Sequence, residues 1–528
     1  MRKLLIRAYI SPLDHFTTQD IILRDRIGTN SGNMLYAFSV MRTLMTEDTE
    51  IDIDNYYGER GLWTNDDIDR INSEYDAYVL PLADAFRSDF RQQLRDLTSF
   101  INKLRIPVYL IGMGARLENR DFKKDYDYDE DAKNFIKAVL DKTTIIGVRG
   151  SFTAGYYRKL GFTEEKDFTV IGCPSLFTYG NHLTQKPFEL KPDSRISTNY
   201  SCWCPMLTVL AVWDVLERYP YSLFVGQNST ELESLYFGID NPEFGAKRER
   251  VAEYLATHDK PVFSVEGKEE CYIDKWTNKI YQEDRMRFFA DVPSWLDYMR
   301  GVDFSFGARL HGNITAILAG TPAFIIAKDG RIIELCEYHN LPSVTHAEIT
   351  RETRFEDLIA NCDLASHLKT HKEKFDHFID FLDKNGIEHI YKEDRDRKDA
   401  PMDSMLPEPS GSVKPFVALD DAGKIARLQE QYKIRSEYGK MVKASRHSFA
   451  KKNNILDIEL KETKLKLSDK EKELVQTKET LKKTESELNS VNKTLADTQE
   501  HVIKLENLPS YRVYKGVKNI VKKDKKES

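Results

Sequence analysis

An arginine and a histidine two residues apart follow a short aromatic segment, and both residue types suit chemistry on an anionic substrate. The segment reads Phe304-Ser305-Phe306-Gly307-Ala308-Arg309-Leu310-His311-Gly312. The arginine guanidinium is planar and donates paired hydrogen bonds to a phosphate or a carboxylate. The histidine imidazole titrates near neutral pH when it is unperturbed, so it can act as a general acid. Arg309 and His311 are therefore our leading candidates for catalytic residues.

The elements around this pair are typical of a β–α–β unit. Residues 302–306 and 323–327 have the short apolar pattern of buried strands. Residues 307–312 are predicted to form a turn, with Asn313 capping the apolar helix that follows. Continuous apolar strands joined by a helix indicate a parallel sheet. Ligands bind beyond the carboxyl ends of such strands, which is where Arg309 and His311 lie.

Other polar residues and glycines follow predicted strand ends or open predicted helices. The loop 27–33 precedes a helix, and its free N–H groups suit an anion; a simple capped helix start is the alternative. The glycine turn 112–116 and the turn at 149–153 each follow a strand and carry an arginine. Glu266 follows a strand predicted at 261–265 and is a candidate base for a hydroxyl substrate. We predict these substrate-binding residues: Arg149, Arg116, Asn30, Gly32, Asn33, Gly307, Gly312, Asn313, Lys328, Asp329, Arg331 and Glu266.

The composition of the chain limits its class. A chain of 528 residues with 41% hydrophobic residues can form two or three domains with sizeable cores. The net charge of −7 argues against nucleic-acid binding. Six irregularly spaced cysteines indicate neither a disulfide framework nor a metal site, so we expect a reducing compartment. No signal peptide or membrane-spanning stretch is evident, and we expect a cytoplasmic protein.

Strands and helices alternate through most of the chain, which predicts an α/β fold with parallel sheets. We expect one Rossmann-like domain at 1–180 and a second at 194–345, with a cleft between them. A helical segment at 350–395 is expected to pack back on both domains. Residues 396–440 are rich in charge and proline at their start, which predicts a linker.

The C-terminal part changes character. Leucine recurs every seven residues from Leu460 to Leu495, and mostly threonine follows three residues after each leucine. This heptad pattern predicts a coiled coil at 441–508, which would join copies of the chain or bind a partner; a solvated single helix is the alternative. The tail 509–528 is basic and amphipathic, so it can contact the inner membrane surface peripherally; a frayed basic end is the alternative.

Several of these motifs resemble one known family. Residues 306–314, followed by Gly320 and Pro322 and then by Asp329, Arg331 and Glu334, resemble the polysaccharide pyruvyl transferase family. The turn at 149–153 and the loop at 30–35 resemble two further motifs of that family. Thr153 stands where the family usually has serine, and Asn33 stands where it usually has aspartate. The resemblance covers about residues 1–395 and leaves the coiled coil outside.

The resemblance implies two Rossmann-like domains facing a cleft, in a GT-B-like arrangement. It also implies transfer of a pyruvyl group from phosphoenolpyruvate to a sugar of a polysaccharide or of its lipid-linked precursor, with a ketal formed and phosphate released. In that reaction Arg309 would hold the donor, with Arg149 from the other domain, and His311 would protonate the methylene carbon. The reaction needs no cofactor and no metal ion.

Two other functions fit a chain of this kind. The first is a GT-B-type glycosyltransferase that uses a nucleotide-sugar, and the second is a non-catalytic scaffold built on the coiled coil. A glycosyltransferase usually places an acidic residue near its donor. The turn at 307–312 instead presents Arg309 and His311, which favours a small anionic donor.

Overall fold

The fold contains two regions of parallel strands. We call the first of them, within residues 2–170, the first half. The computed structural model describes residues 1–117, 122–201, 204–238, 280–510, 513, 515 and 518. The six strands of this half are β1 (Arg2–Ile6), β2 (Thr49–Ile53), β3 (Ala77–Pro81), β4 (Val108–Ile111), β5 (Ile146–Val148) and β6 (Phe168–Val170). Their order is β2-β1-β3-β4, with β5 and β6 as a separate pair that a bridge between Met113 and Val148 connects to the β4 side. All the ladders are parallel, as the apolar strands predict.

A second parallel sheet lies within residues 196–345, and we call this region the second half. Its strands are β7 (Ile196–Asn199), β8 (Leu223–Val225), β9 (Met286–Arg287), β10 (Phe304–Gly307), β11 (Ala323–Ala327) and β12 (Ser343–Thr345). They lie in the order β12-β11-β10-β7-β8-β9. The strand predicted at 323–327 is confirmed. The sequence did not reveal β2 and β12, because β2 alternates with acidic residues and β12 has only three residues.

Helices connect the strands and cover the sheets. Their bounds are α1 (Thr18–Arg24), α2 (Gly32–Leu44), α3 (Asn65–Glu74), α4 (Arg91–Lys103), α5 (Asp129–Leu140), α6 (Ser151–Lys159), α7 (Met206–Arg218), α8 (Ser229–Phe237), α9 (Val292–Arg300), α10 (Leu310–Leu318), α11 (Gly330–His339), α12 (Phe355–Ala360), α13 (Leu368–Lys384) and α14 (Asp421–Glu506). Helix α4 shows why they form: its buried residues Leu94, Leu97, Phe100 and Ile101 recur at helical spacing. Both halves therefore have the α/β fold with parallel sheets that the sequence predicts.

The turn predicted at 307–312 is wrong in its second part. Strand β10 ends at Gly307, and helix α10 already begins at Leu310 with Arg309 at its N-cap. Asn313 therefore lies in the first helical turn and does not cap it. Its fully buried amide donates to the carbonyls of Gly307 and Arg309 at 3.2 and 2.9 Å. Asn313 thus fixes the shape of the strand-to-helix junction and is not available to a substrate.

The chain after β12 packs on both halves. Phe355 of α12 contacts Phe304 and Phe306 of the second sheet. Just beyond α13, the Asn385 side chain accepts hydrogen bonds from the backbone N–H groups of Thr144 and Ile145 in the first half, both at 3.1 Å. The segment 350–395 therefore connects the two halves, because its aromatic and amide side chains reach each of them.

The prediction of a linker over 396–440 is wrong for most of that range. Met402 is fully buried, and the backbone N–H of Val413 donates to Phe288 at 2.8 Å. Asp403 accepts hydrogen bonds from Nε and Nη2 of the buried Arg42 at 2.8 and 2.7 Å. Charge and proline content suggested disorder, but these few buried contacts order the segment.

Replacing Asp403 tests how firmly this segment is held. We expect Asp403→Asn to lower the free energy of unfolding by about 1–3 kcal/mol, because the buried Arg42 guanidinium loses a charged acceptor. Urea denaturation measures the change. Asp399→Asn is the matched control, since that carboxylate is 83% exposed. Equal stability of both variants would show that the Arg42 contact does not hold the segment.

Helix α14 runs for 86 residues. Residues Met1–Arg435 form one compact unit, and Ser436–Ser528 form another. The predicted tail at 509–528 lies mostly outside the described residues. Within the described ranges, none of the helices is both long enough and apolar enough to cross a membrane.

Candidate active site

Loops from both halves enclose one cavity of about 780 Å³. Several of its lining residues directly follow strand ends: Arg7 follows β1, Arg149 follows β5, Ala308 follows β10 and Lys328 follows β11. The carboxyl ends of parallel strands are where ligands bind in α/β proteins. The cavity therefore occupies the position that the sequence predicted for the substrates.

The cavity wall is strongly cationic. Eight cationic side chains and three carboxylates line it. The cations are Arg7, Arg26, Arg87, Arg116, Arg149, Arg309, Lys328 and Arg331, and the carboxylates are Asp25, Glu59 and Asp84. Such a wall attracts a multiply charged anion and disfavours a cationic ligand.

Most of these cations already have acidic partners. Arg7 pairs with Glu59, and Arg309 pairs with Glu231 at 3.3 Å. Asp84 accepts from Arg87 and Arg116 at 3.1 and 2.6 Å, and from Arg331. By contrast, Arg26, Arg149 and Lys328 make no ion pair with any carboxylate of the described residues. Arg26 donates to Asn55 Oδ1 at 3.1 Å. These three side chains have charge left for a substrate.

Arg149 is held in place by a few contacts and keeps part of its guanidinium free. Its Nε donates to the Gly112 carbonyl at 3.0 Å, and its guanidinium lies 5.4 Å from the centre of the Tyr36 ring. Its Nη2 is buried and has no hydrogen-bond partner among the described residues. Gly114 makes room for the side chain, since a Cβ there would lie 2.9 Å from Arg149 Cδ. A buried, unpaired donor on a cavity wall is what an anionic ligand would satisfy.

His311 lies beside this cation. Its imidazole is 6.3 Å from the Tyr36 ring, and its Nε2 is 3.9 Å from the Cys173 sulfur. Burial, helped by the nearby Arg149 guanidinium, lowers the pKa of His311 to about 3. The expectation that this histidine titrates near neutral pH is therefore wrong, because the sequence does not show that the ring is desolvated next to a cation.

Gly32 lets the His311 ring approach helix α2. A Cβ on Gly32 would lie 2.5 Å from His311 Nδ1 and 3.0 Å from its Cγ. The first residue of α2 therefore shapes the site without supplying a functional group. A side chain at this position would have to displace the imidazole.

Gly32→Ala is expected to lower kcat by about 100-fold while the fold is retained, because a shift of about 1 Å in a catalytic group has an effect of this size. Steady-state kinetics and a thermal unfolding curve measure the two properties. Gly301→Ala is the matched control, as the nearest atom to a Cβ there is 3.4 Å away. An unchanged kcat would mean that the ring position is not critical.

Arg309 is tied to the protein more tightly than expected. Its Nη1 donates to Asn228 Oδ1 at 2.9 Å, and its Nε donates to the Tyr200 carbonyl at 3.2 Å. Its Nη2 donates to the Glu231 carboxylate at 3.3 Å. Glu231 also accepts from the backbone N–H groups of Gln227 and Asn228 at 2.6 and 2.9 Å. Arg309 lines the cavity, but these contacts make it first of all a residue that holds the α10 and α8 helix starts together.

Lys328 extends from the end of β11 into the cavity. Its Nζ donates to the Ser201 hydroxyl at 2.6 Å, and burial lowers the pKa of its ammonium group. Asp329 caps helix α11 by accepting from the Ile332 N–H at 3.3 Å, and it pairs with Arg331 at 2.7 Å. The two charged residues after β11 therefore have different roles. Lys328 lines the cavity, whereas Asp329 caps α11 and holds Arg331.

The structure brings most of the predicted residues together. Those that line the cavity are Asn30, Asn33, Arg116, Arg149, Arg309, His311, Lys328 and Arg331. Gly32, Gly307, Gly312, Asn313 and Asp329 do not line it and shape the backbone around it. Glu266 lies outside the described residues. The Asn33 amide donates to the Gly28 carbonyl at 2.8 Å, which an ionised aspartate could not do.

Sequence reasoning missed several residues of the site. Tyr36 lies between Arg149 and His311, but it reads as an ordinary apolar position of α2. Asn228 and Glu231 form a capping box at the start of α8, and the pattern Asn-x-x-Glu was a usable signal. Arg7, which lies directly after the end of β1 at Ile6, was not among the predicted site residues.

The sequence range that contains most of the site residues matches a family model. The model for polysaccharide pyruvyl transferase matches residues 30–330, which is more than half of the chain. The chain belongs to the polysaccharide pyruvyl transferase family. The matched range contains Arg149, Arg309, His311 and Lys328, and it leaves α14 outside. A search of curated proteins found no match.

Three solved structures that hold UDP or UDP-GlcNAc have a fold similar to that of this chain. Anabaena HepE in complex with UDP shares 10% identity, covers 73% of this chain and 98% of its own, and has a TM-score of 0.35. S. aureus MnaA with UDP shares 10% identity over 72% of this chain and 96% of its own, at a TM-score of 0.34. The UDP-GlcNAc 2-epimerase of Neisseria meningitidis shares 9% identity, covers 74% of this chain and 96% of its own, and has a TM-score of 0.28. At these TM-scores the similarity says nothing about the substrate.

Proposed function

We propose that this protein transfers the pyruvyl group of phosphoenolpyruvate to two hydroxyls of a sugar, as expected from the family. The observation that supports this most directly is the grouping of Arg149, His311 and Lys328 on one cavity wall. Two of the three are cations without a carboxylate partner, and the third can move a proton. A donor with a phosphate and a carboxylate fits this set.

The cations have the first task in this proposal. Arg149 offers a planar guanidinium whose Nη2 is unpaired, so it suits the donor carboxylate or phosphate. Lys328 adds a point charge whose pKa is lowered by burial and rises again when an anion binds beside it. Arg309 holds the start of α10 in place and so fixes the position of His311.

His311 has the second task. A trianionic donor beside the imidazole favours its charged form, so the ring takes up a proton when the donor binds. The imidazolium then gives this proton to the methylene carbon, which becomes the methyl group. The oxygen of one sugar hydroxyl bonds to the central carbon, and the hydroxyl proton returns to His311. The second hydroxyl displaces the phosphate, which leaves with the second hydroxyl proton.

A donor screen tests the proposal. Purified protein is mixed with phosphoenolpyruvate and a panel of glycan acceptors, and released phosphate and acceptor mass are measured together. We expect phosphate release only with a suitable acceptor, and a pyruvyl mass on that acceptor. Consumption of a nucleotide-sugar in place of phosphoenolpyruvate would establish the glycosyltransferase alternative. No turnover of either donor with any acceptor would favour the scaffold.

A further inference from the structure

The outer part of α14 carries an apolar row that the described part of the chain leaves uncovered. We call it the leucine seam: Leu467, Leu474, Leu481, Leu488 and Leu495, whose exposed fractions are between 54 and 60%. The residues three positions after each leucine are Lys470, Thr477, Thr484, Val491 and Thr498. In a heptad written abcdefg, the leucines take position a and the second set takes position d. A long exposed apolar row of this kind marks an interaction surface.

Threonine at position d does not weaken this seam as much as its polarity suggests. The hydroxyls of Thr477, Thr484 and Thr498 donate to the backbone carbonyl four residues earlier, at 2.8, 3.0 and 2.7 Å. Their hydrogen-bond donors are therefore satisfied inside the helix. A second helix on the seam would meet the threonine methyl groups and would bury no unpaired hydroxyl proton.

Charges beside the seam indicate what the second helix is. Lys466 and Glu473 occupy position g, and Glu471 and Lys478 occupy position e. None of the four makes an ion pair within the described residues. In a parallel, in-register pair of helices, each g residue faces the e residue five positions further along the other chain. Lys466 would then face Glu471 of a second copy, and Glu473 would face Lys478, on both sides of the seam.

The opposite orientation lacks this match. When residues 467–505 lie antiparallel on the same residues of another copy, Glu487 comes close to its own counterpart. Lys466 then faces an uncharged stretch near Leu508. Like charges across a coiled coil oppose pairing, and the favourable contacts of the parallel arrangement are lost. The charge pattern therefore selects both the partner and the direction.

We propose that the leucine seam of α14 binds the same seam of another copy of this chain, parallel and in register. The seam lies outside the family match at 30–330, so this association goes beyond the proposed function and is independent of the donor. It places the C-terminal ends of the associated chains at one end of the assembly.

Charge reversal tests the pairing in the full chain. The first variant carries Lys466→Glu and Glu473→Lys, and the second carries Glu471→Lys and Lys478→Glu. Each variant alone places like charges opposite each other, so we expect its assembly to need about tenfold higher protein concentration, as measured by light scattering. An equimolar mixture of the two restores attraction at every pair, and we expect it to assemble like the wild type. A monomeric wild type, or a mixture no better than its components, would overturn the proposal.

Cross-linking tests the register separately. Leu474→Cys puts thiols of parallel, in-register chains side by side, so mild oxidation is expected to give a disulfide-linked dimer. Glu479→Cys, on the opposite face of the helix, is the matched control and is expected to stay unlinked. The wild type is treated in parallel because it contains six cysteines. An assembled Leu474→Cys protein that does not cross-link would overturn the parallel register. Turnover of the variants should match the wild type in every case.

Discussion

Arg149→Met is expected to abolish donor binding at ordinary concentrations, with KM for phosphoenolpyruvate raised by about 100-fold or more. The substitution keeps an unbranched stem beside Tyr36 and Gly114 and removes the guanidinium. The donor then loses a charge-assisted, desolvated contact of about 2–5 kcal/mol. Steady-state kinetics at several donor concentrations, with direct calorimetry, measure the change.

The control for this variant is Arg158→Met, in helix α6, which begins two residues after Arg149. Arg158 is 51% exposed, pairs with Glu164 and does not line the cavity. The same chemical change is expected to leave KM unaltered there. Arg149→Lys restores the charge without the planar fork and is expected to recover only part of the affinity. Wild-type donor binding in Arg149→Met would contradict the assignment and would move the donor to other cations, Arg116 and Arg331 first.

The sequence predicted the α/β class, the parallel sheets and the positions of Arg149 and Lys328 directly after their strands, whereas His311 lies in helix α10 and not in the predicted turn. These features are local: short apolar strands, glycines and a cation directly after β5 and β11. A residue placed by the end of its own strand can be assigned without knowing its neighbours. That is why eight of the predicted residues are found on one cavity.

What the sequence could not show depends on contacts between distant residues. Arg309 was predicted as the main donor ligand, but its guanidinium meets Glu231, which lies 78 residues earlier in the chain. Nothing local to Arg309 indicates this partner. The lowered pKa of His311 likewise depends on distant residues, since its causes are burial and the Arg149 guanidinium from the other half. The segment 396–440 was predicted to be a linker, because a single buried contact such as Arg42–Asp403 leaves no periodic pattern.

These differences change how the site is tested. Truncating Arg309 would leave Glu231 buried without its cation, and such a loss costs stability as well as binding. An inactive Arg309 variant therefore cannot separate a donor ligand from a residue that holds two helix starts together. Arg149 and His311 give cleaner tests, because both line the cavity and neither forms an ion pair with a carboxylate among the described residues.

His311→Asn is expected to reduce kcat by about 100- to 10,000-fold, which is the usual contribution of a general acid. Donor affinity should change much less, since the ring is neutral before the donor binds and Arg149 and Lys328 remain. Asparagine is smaller than histidine, so Gly32 tolerates it. Unchanged turnover would exclude His311 as the proton donor.

Proton uptake separates this role from a merely structural one. The pKa of His311 is about 3 before the donor binds, and a bound trianion raises it. A group whose pKa rises on binding takes up a proton, so donor affinity should fall as the pH rises through the pKa of the complex. Calorimetry in buffers of different ionisation enthalpy counts these protons. At the same pH, we expect the wild-type protein to bind as much as one proton more per donor than His311→Asn. Protonation of the donor itself contributes equally to both proteins, so it does not affect this difference. Equal uptake in the two proteins would show that the imidazole stays neutral and that the proton for the methylene carbon comes from another group, with Lys328 the next to test.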